Sequence, residues 1–404
     1  MTISTASVPV GTSPTRIPLG SLAILAFGVF VTVTAESLPA GLMPEMAADF
    51  GVEPVQIGLL ISVWAATVIL TSIPLSRASA AFDRRLVIGT ALAVFALANL
   101  ATAFVPAYGL AIGSRVVAAL AHGVFWAVVI VYASSLLSPS HLGRGLSIVT
   151  AGGTAATVAG LPAATLLAQT LGWRIAFVVL ALASLAIAAI VLIRMPRVVP
   201  ERTVRARRDR GSLWRDPSLP AIAAFGAASV LIATAQFASF TYIRPYLEQS
   251  ASIGADWTAG LLFVYGMAGM VGVVAAGFLA DRFPRSALTA TLLVFAAAFS
   301  VLTVWPGSIA AVVAGLVAWG FAIGAIFPII QTALMRSSTD RTRTLASAGI
   351  VVLFNVGIAV GPWLGGMLGG ATSPTTSTAV SAVTMAVAAA VGTGGVLLAR
   401  HPNP

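Results

Sequence analysis

The sequence predicts an all-α membrane protein with twelve transmembrane helices arranged as two six-helix bundles. Composition, the spacing of apolar segments and the placement of the arginines each support this fold class. Of the 404 residues, 58% are hydrophobic and 8% are charged, and the mean hydropathy is +1.00. A soluble domain carries roughly 25% charged residues. This chain therefore has too little charge to cover a surface that faces water.

Twelve apolar segments are long enough to cross a bilayer, whose hydrocarbon core of about 30 Å requires a helix of about 20 residues. Only Pro106, Ala107 and Tyr108 separate the third segment from the fourth. The first apolar run is too long for the core of a cleaved signal peptide. The predicted spans are 19–43, 56–76, 86–105, 109–135, 145–170, 174–194, 218–247, 257–280, 287–305, 308–334, 343–370 and 376–399.

All 22 basic residues are arginine, because the sequence contains no lysine. When both termini are assigned to the cytoplasm, 19 of the 22 fall in cytoplasmic segments, and the outer loops hold Glu45, Asp49, Glu53, Glu248 and Asp256. This positive-inside pattern predicts the orientation and an even number of spans. It also argues against nucleic-acid binding as the reason for the net charge of +10. The cytoplasmic arginines are Arg16, Arg77, Arg84, Arg85, Arg144, Arg194, Arg197, Arg202, Arg205, Arg207, Arg208, Arg210, Arg215, Arg282, Arg285, Arg336, Arg341, Arg343 and Arg400.

The two halves of the chain repeat each other. AAFDRR after the second span corresponds to GFLADRFPR after the eighth, which makes Asp83 and Asp281 equivalent. GLPAA in the fifth span corresponds to GPWLGG in the eleventh. Parallel repeats of this kind place the substrate site between the halves, near the middle of the bilayer. The predicted organisation is a cytoplasmic N-terminal tail (1–18), a bundle (19–194), a basic cytoplasmic linker (195–217) and a second bundle (218–404).

The short loops after the second and eighth spans pair an aspartate with arginines. An aspartate there can receive an arginine or a helix N-terminus, so these loops are candidate cytoplasmic gates that break as the halves move. Simple anchoring of positive charge on the cytoplasmic side is the alternative. The candidate gate residues are Asp83, Arg84, Arg85, Gly277, Asp281, Arg282 and Arg285.

Gly277-x-x-x-Asp281-Arg282 with Arg285, together with the two-half architecture, resembles the major facilitator superfamily. Further segments, spread over nearly the whole chain, are similar to bacterial sugar-efflux transporters of the drug:proton antiporter group. Exporters of arabinose polymers and purine nucleosides share much of this pattern. The resembling segments are 35–52, 114–126, 160–177, 241–248 and 354–362.

Glu36 is the only carboxylate inside a predicted span, and an intramembrane acid is a functional candidate by default. Helix rise places Arg115 and His122 of the fourth span at depths on either side of Glu36. Glu36, Arg115 and His122 are therefore candidates for proton coupling. A fixed Glu36–Arg115 bridge that only holds two helices together is the alternative.

Trp126 follows His122 by one helical turn, so both side chains lie on one face and can contact a sugar ring. Gln236, Tyr242 and Asn355 are the substrate-binding candidates of the second half, with helix–helix hydrogen bonding as the alternative for each. Arg244 stands where the resembled family often has an acidic residue, and we expect it at the outer mouth of the seventh span.

Glycine and proline mark two spans as packing or hinge elements. In the fifth span the small-residue face around Gly160 kinks at Pro162, and we expect it to pack against a helix of the other half. Gly357, Gly361 and Pro362 give the eleventh span the same character.

These features favour a secondary transporter of the cell inner membrane that exports sugars or similar small polar metabolites in exchange for protons, acting as a monomer. A multidrug or nucleoside exporter and a transporter-like sensor are the alternatives. The sequence contains no cofactor motif, no metal-ligand cluster and no catalytic set, and without lysine it cannot contain an ATP-binding P-loop. It therefore does not predict an enzyme.

Overall fold

The computed structural model describes residues 18–79, 81–138, 141–198, 216–339, 342–369 and 373–399. Twelve helices in this part of the chain are long and apolar enough to span a membrane, which confirms the predicted number. Most of the predicted tail and linker lies outside the described residues. The helices are α1 (Leu19–Gly41), α2 (Met43–Phe50), α3 (Pro54–Ser79), α4 (Arg84–Phe104), α5 (Tyr108–Ser135), α6 (Leu142–Ala155), α7 (Leu161–Leu171), α8 (Trp173–Arg194), α9 (Leu219–Phe240), α10 (Ile243–Pro245), α11 (Ala255–Arg282), α12 (Ala287–Val304), α13 (Ile309–Ser337), α14 (Arg343–Met367) and α15 (Pro374–Leu398).

Short helices and π-helical turns interrupt the regular pattern of spans. The fifth span is α6 and α7 joined by the π-helical segment Ala156–Gly160, and Pro162 follows that segment within one turn. A proline has no amide hydrogen and crowds the preceding turn, which favours such a local rearrangement. The seventh span ends at Phe240 rather than at 247 as predicted. Pro245 has no amide hydrogen, so it cannot donate the helical hydrogen bond that would extend α9 through this segment.

Buried apolar side chains form two clusters that correspond to the two bundles. One cluster runs from Leu22 to Met195 and the other, for its main part, from Ala221 to Val396. The exceptions lie where the bundles meet. Tyr242 of the second half packs in the first cluster, and four residues of the first half pack in the second, namely Ala40, Ile61, Ala65 and Leu161.

Close contacts between the halves lie near the middle of the spans and at the predicted outer side. A Cβ atom at Gly58 of α3 would lie 2.6 Å from the Tyr242 hydroxyl oxygen, so the phenol fits only beside a glycine. Gly266 of α11 allows a similar approach, because its Cβ would lie 2.5 Å from Val158 Cα and 2.7 Å from Thr157 O in the π-helical segment. The fifth and eighth spans therefore touch backbone to backbone.

Gly357 and Gly361 pack α14 against α9 inside the second bundle. A Cβ at Gly357 would lie 2.6 Å from Val230 O, and one at Gly361 would lie 2.8 Å from Thr234 O. Small residues allow helices to approach closely in lipid. Gly160 faces Thr34 of α1 in its own half. The expected contact of the fifth span with the other half comes instead from residues 157 and 158, against Gly266.

Candidate functional site

Glu36 lies in the C-terminal half of α1 and approaches His122 of α5. The carboxylate Oε2 is 3.8 Å from His122 Nε2, and 17% of the Glu36 side chain is exposed against 7% of the histidine. The two residues form an acid–base pair inside the membrane-spanning part of the first bundle.

Arg115 binds the backbone of α1 instead of the Glu36 side chain. The guanidinium is fully buried and donates from Nη1 to Ala35 O (3.0 Å) and from Nη2 to Glu36 O (3.2 Å). Pro39 has no amide hydrogen, so the carbonyl of Ala35, four residues earlier, lacks its helical donor. Arg115 supplies that donor. The alternative of a fixed bridge between the Glu36 and Arg115 side chains is not the arrangement that the structure shows.

Two tryptophan rings pack near this pair. The Trp64 ring of α3 has its centroid 4.2 Å from Arg115 Cζ and 5.2 Å from the His122 ring, and Trp126 lies 6.2 Å from His122 on the other side. His122 and Trp126 therefore share a face, as their spacing predicts. Nothing in the sequence singled out Trp64, which stands 201 residues before the buried Tyr265 of the second half.

Three polar atoms of this cluster are buried and have no hydrogen-bond partner among the described residues: Trp64 Nε1, Arg115 Nε and His122 Nδ1. Buried polar groups are normally paired. The cluster therefore retains hydrogen-bonding capacity for a polar ligand.

Gln236 occupies the equivalent place in the second half, 200 residues after Glu36. Its Nε2 donates to the Tyr265 hydroxyl (2.9 Å), and its Oε1 accepts from Trp319 Nε1 (2.5 Å). Both ends of the amide are thus engaged in bonds between α9, α11 and α13. These contacts favour the helix–helix role for Gln236, and substrate binding by this residue stays a prediction.

Tyr242 and Asn355 also bond to the protein itself. The Tyr242 hydroxyl donates to Pro362 O of α14 (2.9 Å) within the second half, and Asn355 Nδ2 donates to Val351 O (3.0 Å) on its own helix. Neither bond joins the cluster around Glu36. Their roles in substrate binding remain predictions.

The candidate gate residues bond within their own halves. Asp83 caps α4 by accepting from the Arg85 amide (3.0 Å) and also accepts from the Val198 amide (3.3 Å). Asp281 accepts from Arg336 Nη2 (2.9 Å). Two further hydrogen bonds hold the chain that follows α8: the Arg84 amide donates to Val198 O, and the Arg85 side chain donates from Nη1 to Met195 O. Gly277, Arg282 and Arg285 are exposed.

Arg244 makes a contact between the halves that the sequence did not predict. It is 3% exposed, and it bonds Glu45 and Gly41 O of the first half and Glu248 of its own half. Burial alone lowers the pKa of the Arg244 guanidinium, but the hydrogen bonds and charges of Glu45 and Glu248 outweigh burial and raise it above its ordinary value. Arg244 is therefore a buried, charged residue that binds the two halves to each other at the predicted outer side.

Comparison with known protein families decides the class of the molecule. The model of the Major Facilitator Superfamily matches residues 25–285 and 250–404. The chain belongs to the Major Facilitator Superfamily. Two chloramphenicol efflux pumps from two strains of Mycobacterium tuberculosis are each 32% identical to this transporter over 376 residues, which is 89% of either chain.

Solved structures agree on the fold. A bacterial homologue of the human lysosomal transporter Spinster, inward-facing and occupied, has a TM-score of 0.75 at 15% identity and covers 96% of this chain and 100% of its own. A mutant of the nucleoside transporter NupG has a TM-score of 0.75 at 13% identity and covers 93% and 99%. This superfamily member is thus a multi-pass transporter of the cell membrane and not an enzyme.

Proposed function

We propose that this transporter exports small neutral molecules of the amphenicol type, which combine an aromatic ring with hydroxyl and amide groups, in exchange for protons. The observation that carries the proposal is the Glu36–His122 pair at 3.8 Å, set beside Trp64 and Trp126. The similarity to two chloramphenicol efflux pumps over 89% of the chain supports the substrate class. One chain contains both bundles, so we expect a monomer to suffice.

Proton coupling follows from the chemistry of Glu36. An ionisable group inside a membrane marks proton relays and substrate pathways. When the carboxylate binds a proton it loses its negative charge, which changes its interactions with the neighbouring His122 and Arg115. Protonation from one side and release to the other would then accompany the rocking of the two halves.

The lining suits a ligand that is partly aromatic. Trp126 offers a partly exposed ring for stacking, and the unpaired Nδ1 atom of His122 can bond a hydroxyl or amide group. Neutral ligands fit better than cations, because the buried Arg115 guanidinium repels positive charge.

Sugar export is the second candidate, and two observations favour it. Five segments resemble sugar-efflux transporters. His122 and Trp126 share a helical face, with ring centroids 6.2 Å apart, so a sugar could stack on the indole while it bonds the imidazole.

Uptake into inside-out vesicles with an imposed pH gradient, acid inside, tests the proposal. The probes are chloramphenicol, a pentose, a thiogalactoside, a nucleoside and a cationic dye. We expect gradient-driven accumulation of chloramphenicol, its loss in Glu36→Gln and its retention in Glu53→Gln, an exposed acid outside the spans. Accumulation of sugars alone would select the second candidate. If the gradient drives none of the probes, or if Glu36→Gln transports as well as the wild type, the proposed proton exchange is wrong.

A further inference from the structure

We propose that Trp64 is a positioning residue for proton exchange at Glu36. Its indole ring holds the Arg115 guanidinium on the backbone of α1, away from the Glu36 carboxylate. The carboxylate is then left to exchange a proton with His122. This inference rests on the proposed proton coupling and assigns a role to a residue that neither the sequence pattern nor the family match singles out.

The first step of the argument is the break in α1. Pro39 leaves the Ala35 carbonyl without its helical donor, and Arg115 fills the gap at 3.0 Å while it also bonds Glu36 O at 3.2 Å. Both terminal nitrogens of the guanidinium therefore point at the α1 backbone. The charge lies near Glu36 without being bound to its carboxylate.

The second step is what keeps the guanidinium there. Arg115 Cζ lies 4.2 Å from the centroid of Trp64 and 6.0 Å from that of Phe177, so the planar group sits over one ring with a second ring farther away. A guanidinium over an indole face is attracted by the ring quadrupole. Trp64 is fully buried and packs edge-on against Phe95 at 6.1 Å, which fixes the ring.

The third step is that the same indole contacts the other candidate partner. The rings of Trp64 and His122 are 5.2 Å apart in an edge-to-face arrangement. One side chain therefore sets the positions of both α5 residues that can pair with Glu36. Without the ring, the guanidinium is free to turn to the carboxylate and bind it with two hydrogen bonds, the strong geometry for this pair.

The polar contacts made to Glu36 by the elements packed against α1 come from one helix. Within the described residues, the 3.8 Å imidazole contact and the guanidinium bonds at Glu36 come from α5 alone. The remaining charged residues of the neighbouring helices are Glu45 and Asp49 of α2, Arg77 of α3, Arg144 of α6, Arg174 and Arg194 of α8, and Arg244 of α10.

Infrared spectroscopy of the full chain in lipid tests the inference without a transported substrate. The band of the protonated Glu36 carboxyl is assigned by its loss in Glu36→Gln and is then titrated with acid. Trp64→Met keeps an apolar side chain but no ring. In this variant the proton concentration at which the band reaches half its full intensity should be at least about tenfold higher, because Arg115 then binds the carboxylate. Trp64→Phe keeps a ring and should stay within about threefold of the wild type.

A rescue variant separates positioning from packing. Adding Arg115→Gln to Trp64→Met removes the competing charge and should return the titration to within about threefold of that of Arg115→Gln alone. If Trp64→Met does not fold, Trp64→Leu gives the same readout. An unchanged titration in either folded variant would overturn the inference and leave Trp64 as packing. If the titration shifts in Trp64→Met but transport by the wild-type protein does not respond to the pH gradient, the proposed function is wrong and the positioning role of Trp64 stands.

Discussion

The Arg244 guanidinium of the second half is bound by both carboxylate oxygens of Glu45 in the first half, with Nη1 at 2.6 and 2.5 Å. Within the described residues this is the only ion pair that joins the halves. The same nitrogen also bonds Gly41 O at the end of α1. Opening of the predicted outer side must break all of these bonds.

Glu45→Gln should therefore favour opening at the outer side. Loss of a charged hydrogen bond costs about 1.5–3 kcal/mol, which corresponds to a roughly tenfold to hundredfold larger open population. The chain contains no cysteine, so a single Ala40→Cys probe, buried where the halves meet, reports this opening through its labelling rate with an impermeant thiol reagent.

Glu248→Gln is the matched control. Glu248 bonds the same guanidinium at 2.8 Å but belongs to the same half as Arg244. We expect it to change the labelling rate less than threefold. Equal effects of the two substitutions would show that the Glu45 contact does not hold the halves together.

Gly266→Ala should reduce transport without unfolding the protein. The added methyl group would lie within 2.5 Å of Val158 Cα and disfavour the arrangement in which α11 touches the fifth span. Gly260→Ala on the same helix meets no atom within 4 Å among the described residues and should transport normally. Initial rates at equal protein levels, with thermal unfolding as a folding check, make the comparison, and a normal rate for Gly266→Ala would count against this contact.

Gln236→Leu should destabilise the second bundle. It leaves the Trp319 indole N–H and the Tyr265 hydroxyl without their partner, at a cost of about 1–3 kcal/mol. Asn355→Leu removes a single bond on one helix and should cost less. Thermal unfolding in detergent measures both. Normal stability with weaker substrate binding in Gln236→Leu would favour the ligand role for this amide.

Asp83→Ala should cost more stability than Asp281→Ala, although the two residues are equivalent by repeat. Asp83 caps α4 and binds the chain after α8, and loss of a cap costs about 1 kcal/mol. The Asp281 side chain is 80% exposed and pairs with a 47% exposed Arg336, an interaction worth about 0–1 kcal/mol. Thermal unfolding of the two variants side by side would show no difference if the cap were unimportant.

The fold could be predicted because span length and arginine placement are local properties of the sequence. Helix rise also placed Arg115 and His122 at depths near Glu36, but it left open which of them pairs with the carboxylate. The partner of Arg115 did not follow, because depth alone does not show that Pro39 leaves a backbone carbonyl free. Trp64 was missed because an apolar span gives no sign of which aromatic ring faces a charge.

The partners of Gln236 and Arg244, two residues of the second half, were also not predicted. Gln236 lies 200 residues after Glu36, but the sequence does not show that its amide is used by Tyr265 and Trp319. Arg244 was expected at an outer mouth, and its pairing with Glu45, 199 residues away in the chain, depends on how the two bundles meet.

Gly357 and Gly361 bring α14 into backbone contact with α9, so the distance between these two helices does not depend on the side chains that line the transport path. Substitutions on the walls can then change which cargo is accepted while the spacing of the helices stays the same. A lineage of such proteins can diversify in cargo at little cost in folding, and its members will differ most at wall positions and least at these glycines.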